Sequence, residues 1–148
     1  MKTLIAQINR LGNRYQNEDR LVVTVEDDSI MLVVADGMGG HGGGDIAAQV
    51  LVDTLDQYFR RSKKPIASPH AFLRNAIEAA HANILEAGKK QPPLEPRTTC
   101  VVCIIQGKKV TWAHVGDSRL YLLRDNSILA RTIDHSYVEE LFRQGLIS

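Results

Sequence analysis

Apolar residues change their spacing twice along this chain, and the changes divide it into strands, then helices, then strands again. Alternating or short continuous apolar runs predict strands, and apolar residues three or four positions apart predict amphipathic helices. The predicted strands cover residues 4–8, 21–25, 30–35, 98–105, 110–115, 120–123 and 128–133, and the predicted helices cover 44–61, 68–88 and 137–144. Strands grouped into hairpins, with two long helices between them, are typical of an α+β fold with antiparallel sheets.

Length and composition narrow the class of protein. The 148 residues fit one domain, so we treat 1–148 as a single unit. The net charge of +1 gives no electrostatic reason to expect nucleic acid or an anionic membrane as a partner. The N-terminal apolar run is too short for a signal peptide, and no apolar segment reaches the length of a membrane span. We therefore expect a cytoplasmic protein.

The most unusual stretch runs from residue 31 to residue 45, where an apolar strand ends in Asp36 and six of the next eight residues are glycine. Glycine allows tight turns and close approach of the backbone to a ligand. Gly37, Gly39 and Gly42 match the dinucleotide-binding pattern, but a second helix, rather than a parallel strand, follows the first helix. No Lys-Ser or Lys-Thr pair follows the glycines, so a P-loop is also excluded. Nucleotide binding is disfavoured.

The two cysteines, Cys100 and Cys103, form a CxxC pair inside a predicted strand. Residues three apart on a strand point to opposite faces, so these thiols should not converge on one metal ion. We predict two buried thiols without a redox or zinc-binding role.

Three acidic residues are predicted to meet at one end of the first hairpin. Antiparallel neighbours joined by one turn have their free ends together, so the loop before residue 21 lies beside the loop after residue 35. Glu18 and Asp19 should therefore converge with Asp36, and Asp117 follows another apolar strand beside a glycine. Arg14 precedes Glu18 by four residues and could hold an anion.

Carboxylates beside glycine carbonyl groups are suited to a hard cation. Magnesium and manganese prefer oxygen ligands and need few of them from the protein, whereas zinc would favour histidine or cysteine. Two metal ions with an arginine clamp for an anion indicate hydrolysis at phosphorus by a metal-activated water.

With these residues assembled, the chain resembles the metal-dependent (type 2C, PPM) Ser/Thr protein phosphatases, in particular their bacterial members. The matching segments are 14–19 (RYQNED), 34–41 (VADGMGGH), 98–99 (TT), 114–119 (HVGDSR) and 134–136 (DHS). They occur in the family's order and spacing across nearly the whole chain.

The resemblance implies a fold, a ligand set and a substrate class. The fold would be two antiparallel sheets packed face to face with flanking helices, an α-β-β-α sandwich. The implied roles are Asp36 bridging two Mn²⁺ or Mg²⁺ ions, Gly37 giving a carbonyl oxygen, Glu18 and Asp19 holding metal-bound waters, Arg14 binding the substrate phosphate and Asp117 approaching a third ion. The substrates would be phosphoserine and phosphothreonine in proteins, with a cognate Ser/Thr kinase as a partner.

The chain also departs from the family pattern. Met38 stands where some members carry a histidine proposed as general acid, which leaves His41 as a weak substitute. The family's later segment, with two further aspartates, is absent from these 148 residues. We therefore expect the N-terminal portion of a phosphatase domain, catalytically weak alone, whose incomplete sheets self-associate or recruit a second polypeptide. The alternatives are a non-catalytic module that binds phosphoproteins or a partner, and an inactive fragment.

Overall fold

The computed structural model describes residues 3–38, 42–90 and 95–147 and has an α+β architecture. The elements in chain order are β1 (Asp19–Glu26), β2 (Ser29–Met38), α1 (Gly44–Arg61), α2 (Pro69–Lys89), β3 (Arg97–Thr98), β4 (Cys100–Gln106), β5 (Lys109–Val115), β6 (Tyr121–Arg124), β7 (Ser127–Arg131) and α3 (Tyr137–Arg143). The fold class predicted from the sequence is confirmed. Among the described residues, no helix combines the length and the apolar character needed to cross a lipid bilayer.

All strand pairs are antiparallel. The larger sheet has the order β1-β2-β4-β5, with the short β3 pairing with the end of β2. β6 and β7 form a separate two-stranded sheet. The two long helices follow one another in the chain without a parallel strand between them, which is the arrangement that argued against a dinucleotide-binding fold.

The helices cover one face of the larger sheet. Alternate residues of β2, Met31, Val33 and Ala35, are buried against the apolar side of α1, including Leu55 and Phe59. The Phe59 ring meets Phe72 of α2 edge to face, with 6.3 Å between centroids. This contact joins both helices to the sheet, because strand alternation and helical spacing direct their apolar faces into one core.

The opposite face of the larger sheet is also apolar. Strand register aligns residues into rows across this face, among them Val23, Leu32, Cys103 and Trp112, and next to that row Leu21, Val34, Val101 and His114. A third row consists of Val25, Ile30, Ile105 and Val110. Val34 is 47% exposed and Val25 is 55% exposed. We call this surface the outer sheet face.

The two cysteines lie as predicted. Cys100 belongs to the core between sheet and helices, and Cys103 lies on the outer sheet face. Both are free and buried. Burial raises the pKa of Cys100 to about 12 and that of Cys103 to about 11, so neither is a reactive thiolate near neutral pH.

Three sequence predictions differ from the structure. Residues 4–8 are not a strand, and Leu4 is 98% exposed, because alternation builds a strand only where a neighbouring strand supplies hydrogen bonds. β2 continues past Ala35 to Met38, since β3 pairs with Gly37 and Met38. The predicted strand 98–105 is two strands, β3 and β4, interrupted at Thr99.

Candidate functional site

The register of the β1–β2 hairpin places Asp19 directly opposite Asp36. Opposed residues on neighbouring antiparallel strands have Cβ atoms about 4.5–5.5 Å apart and lie on the same face. The two carboxyl groups are close enough to share a hydrogen bond when one is protonated. The convergence expected from the sequence is therefore confirmed for this pair. Asp36 lies within β2, however, rather than in the loop after it.

Glu18 lies near the start of α1. Its Oε2 is only 2.6 Å from the position that a Cβ atom would occupy on Gly44. Gly37 also lies against the start of α1, since a Cβ atom on Gly37 would lie 2.2 Å from the Gly44 carbonyl oxygen. The Gly37 amide donates to the Glu18 carbonyl oxygen at 3.3 Å. Residues 17–19, which carry Glu18 and Asp19, are called the acidic loop. Glycine at 37 and 44 is therefore required by close backbone contact between the acidic loop, β2 and α1.

Thr99, the residue between β3 and β4, is hydrogen-bonded to the backbone of Asp36. Its hydroxyl accepts the Asp36 amide hydrogen at 3.0 Å, and its own amide donates to the Asp36 carbonyl oxygen at 2.9 Å. The same hydroxyl is 2.6 Å from the Ser118 hydroxyl. Thr99 is 1% exposed, so it holds the backbone of Asp36 in a fixed position. The sequence pointed to this threonine only through the family resemblance and gave it no role.

The loop that carries Asp117 is held from two sides. Gly116 has φ +101°, and a Cβ there would lie 2.8 Å from the Thr99 methyl carbon. On the other side, the Gly116 carbonyl oxygen accepts the His135 amide hydrogen at 2.9 Å. Arg119 donates two hydrogen bonds to Asp134, at 2.7 and 2.6 Å. Such bidentate pairs fix orientation as well as distance.

Electrostatics single out Asp36 among the acids. Its pKa is raised above the ordinary carboxyl value, first because burial disfavours the charge and then because Asp19 and Asp117 repel it, with a smaller contribution from Glu18. Three sequence-predicted acids therefore act on the charge of the fourth, Asp36. Negative charges gathered in this way are stabilised by a cation placed between them.

The acids share a cleft with Arg14. The cleft has a volume of 660 Å³, and the predicted residues that line it are Arg14, Glu18, Asp19, Asp36 and Gly37. Arg14 is exposed and makes no ion pair with another described residue. Asp117 does not line this cleft and acts on Asp36 only through its charge.

Oxygen donors dominate the cleft, and this chemistry fits magnesium or manganese. Within residues 3–38, 42–90 and 95–147, no three His, Cys, Asp or Glu side chains are already gathered closely enough to enclose an ion. The candidate cation site is therefore open, with protein groups on one side and room for water on the other. An ion held by one or two carboxylates, a backbone carbonyl and several waters is the usual mode for Mg²⁺. The residues present fit such an ion.

Histidines do not enter the described site. His114 and His135 stack on each other, with ring centroids 4.4 Å apart, and His114 Nε2 is 2.7 Å from the Ile133 carbonyl oxygen. His41 lies outside the described residues. Met38 lines the cleft at the end of β2, so the position at which some relatives have histidine carries no proton donor.

Comparison with known proteins shows to which family the chain belongs. The family model for Protein phosphatase 2C matches residues 9–143. The Serine/threonine phosphatase stp of Listeria welshimeri is 36% identical over 139 residues, which cover 91% of this chain and 55% of that protein. The Serine/threonine protein phosphatase PstP of Mycobacterium tuberculosis is 33% identical over 136 residues, covering 91% of this chain and 25% of PstP. The chain belongs to the protein phosphatase 2C family.

Solved structures give the same result. The catalytic domain of PstP in complex with two manganese ions is 32% identical and superposes with a TM-score of 0.80 over 91% of this chain and 56% of that structure. A bacterial serine phosphatase bearing an R161K mutation gives a TM-score of 0.85 at 30% identity. The fold is therefore that of these phosphatases, and the chain spans about half their length.

The charge repulsion at Asp36 gives a testable prediction about stability. An acid whose pKa is raised by folding stabilises the protein below its unfolded pKa, and that stability is lost as the pH rises through the folded pKa. At neutral pH and without metal ions, Asp36→Asn should therefore raise the melting temperature. Below the ordinary carboxyl pKa the difference should disappear, because the wild-type side chain is then also neutral.

The measurement is thermal unfolding in a chelating buffer, from neutral pH to below the ordinary carboxyl pKa. Asp28→Asn in the exposed β1–β2 turn is the control. The same Asp36 variant should lose Mn²⁺ binding in a calorimetric titration. An Asp36→Asn protein that melts at a lower temperature than wild type at neutral pH would contradict the repulsion assigned to Asp36.

Proposed function

We propose that this chain provides the phosphate-binding and cation-binding part of a metal-dependent protein phosphatase, which hydrolyses phosphoserine and phosphothreonine in proteins. The observation that carries the proposal is the cross-strand pair Asp19–Asp36, lying in one cleft with Arg14. Membership of the protein phosphatase 2C family and the names of its Ser/Thr phosphatase relatives support it. We also propose that residues 1–148 act as a single phosphatase-like unit.

The roles of the residues follow from their positions. Asp36, with the Gly37 carbonyl oxygen, would hold two divalent ions, and Glu18 and Asp19 would accept hydrogen bonds from metal-bound waters. Divalent ions bound there supply a water of lowered pKa and compensate the charge of the phosphoryl group. Arg14 would donate hydrogen bonds to the phosphate oxygens, since a guanidinium group matches phosphate in two-pronged geometry.

Asp117 would help to hold a third, weaker ion. Its loop contacts Thr99, Asp134 and His135, so its distance from Asp36 is set by the fold. The two manganese ions in the PstP catalytic domain favour Mn²⁺ as the first metal to test. A cognate Ser/Thr kinase that produces the substrates, and a cytoplasmic location, stay predictions from the sequence.

Removing Arg14 separates catalysis from folding. Because Arg14 is exposed and without an ion pair in the described chain, Arg14→Ala should leave the melting temperature nearly unchanged. It should weaken binding of a phosphothreonine peptide by about tenfold or more, since hydrogen bonds to charged groups contribute about 1.5–3 kcal/mol each. Isothermal titration with Mn²⁺ present measures the affinity, and Arg124→Ala at the end of β6, outside the cleft, is the control.

The same samples test hydrolysis of the peptide at saturating Mn²⁺. Metal-dependent release of phosphate that is lost in Arg14→Ala supports the proposed reaction. Peptide binding without any hydrolysis would favour the two alternatives, a non-catalytic phosphoprotein-binding module or an inactive fragment. A large loss of stability in Arg14→Ala with unchanged peptide affinity would show that Arg14 has a structural role instead.

The outer sheet face leads us to propose self-association of the 148-residue chain. Val25 and Val34 leave apolar side chains exposed on this face, and exposed apolar surface often marks a contact surface. We expect the mass measured by light scattering to rise with protein concentration. Val25→Thr, which keeps a β-branched side chain at a 55% exposed position, should reduce that rise. Val138→Thr on α3, 64% exposed, is the control. A monomeric mass at every concentration would contradict this proposal.

A further inference from the structure

The Arg20 side chain connects the acidic loop to helix α1. Its Nη1 donates to the Asn17 carbonyl oxygen and to the Asp19 carbonyl oxygen, both at 2.8 Å. Its Nε donates to Gln49 Oε1 of α1 at 2.9 Å, and Gln49 in turn donates to Asp53 at 2.9 Å. One guanidinium group therefore fixes two carbonyl groups on either side of Glu18 and ties them to the helix.

These contacts belong to a set that holds three successive peptide planes. Arg20 holds the carbonyl group of Asn17, which belongs to the first plane. The Asp19 amide in the second plane donates to Asn17 Oδ1 at 3.0 Å, and the carbonyl oxygen of that plane accepts the Gly37 amide hydrogen. Arg20 and Asn9 Nδ2 both donate to the Asp19 carbonyl oxygen in the third plane. The backbone dihedral angles of Glu18 and Asp19 lie between these fixed planes.

Fixed dihedral angles determine where the two acidic side chains point. Successive residues of an extended chain direct their side chains to opposite sides. Asp19 lies opposite Asp36, while the Glu18 carboxylate lies beside Gly44 at the start of α1. A rotation of the planes would move both carboxylates away from the cleft.

We propose that Arg20 is a positioning residue for the cation site: it sets the directions of Glu18 and Asp19 by holding the carbonyl groups around them. The inference rests on the proposed function, in which these two acids hold metal-bound waters. Arg20 itself does not line the cleft, so it acts through the backbone and not by touching substrate or ion.

The charge of Arg20 and its positioning role predict opposite effects of its removal on metal affinity. A guanidinium close to a cation site repels the ion, so if charge alone mattered, its removal would strengthen metal binding. If Arg20 positions the acids, its removal weakens metal binding. Residues that orient metal ligands typically contribute about 10–100-fold to metal affinity.

The experiment uses the 148-residue chain with three variants, Arg20→Ala, Arg20→Lys and Gln49→Ala, and with Arg124→Ala as a charge-matched control. Mn²⁺ affinity is measured from the electron paramagnetic resonance signal of free Mn²⁺. Arg20→Ala should weaken affinity at least about tenfold. Arg20→Lys keeps the charge but has a single nitrogen in place of the fork, and it should lie between wild type and Arg20→Ala. Gln49→Ala removes the tie to the helix, together with the hydrogen bond to Asp53, but leaves Arg20 on both carbonyl groups and should have a smaller effect.

A second measurement needs no metal ion. Amide hydrogen exchange of Asp19 and Gly37 in a chelating buffer should accelerate in Arg20→Ala, while exchange of Leu55 in the core of α1 keeps its wild-type rate. A general loss of stability would accelerate all three amides together and would overturn the positioning role, as would unchanged or tighter Mn²⁺ binding. If wild type itself bound no Mn²⁺, the proposed function would fail, and the exchange rates of Asp19 and Gly37 would still decide whether Arg20 holds the loop.

Discussion

The site depends on one register, the pairing of Asp19 with Asp36 across the β1–β2 hairpin. Each carboxylate alone would be an ordinary surface acid. Opposed on one sheet face, Asp19 repels the charge of Asp36 and adds to the desolvation that raises its pKa, and a cation is favourable between the two carboxylates. A shift of one residue in either strand would send one carboxylate to the opposite face. The apolar residues of β2, which are buried against α1, prevent that shift.

The surroundings of this pair restrict its movement from three directions. Thr99 holds the backbone of Asp36 through two hydrogen bonds. Gly37 and Gly44 allow the acidic loop and α1 to approach within distances that no side chain would permit. The Asp117 loop packs against Thr99 through Gly116. These contacts make the site a property of the whole larger sheet and its first helix, rather than of a single flexible loop.

Sequence reasoning predicted those parts of the fold that depend on local pattern. The hairpin, the helix starting at Gly44 and the opposite faces of the two cysteines all follow from periodicity, and so does the convergence of Asp19 with Asp36. The strand expected at residues 4–8 was wrong, because a strand requires a partner that local alternation cannot reveal. The break at Thr99 was missed for a related reason: its hydroxyl and amide bond to Asp36, 63 residues away. Arg20 was overlooked because its contacts, with two backbone carbonyl groups and with Gln49 in α1, leave no trace in residue spacing.

Paramagnetic broadening by Mn²⁺ is the most direct test of the claim that this hairpin end is a cation site. Titration of the isotopically labelled chain should broaden the amide signals of Glu18, Asp19, Asp36 and Gly37 first, with that of Asp117 following at higher Mn²⁺ concentration. Signals of the β6–β7 hairpin should remain sharp throughout. Broadening that begins elsewhere, or that affects all exposed acidic residues equally, would contradict the account.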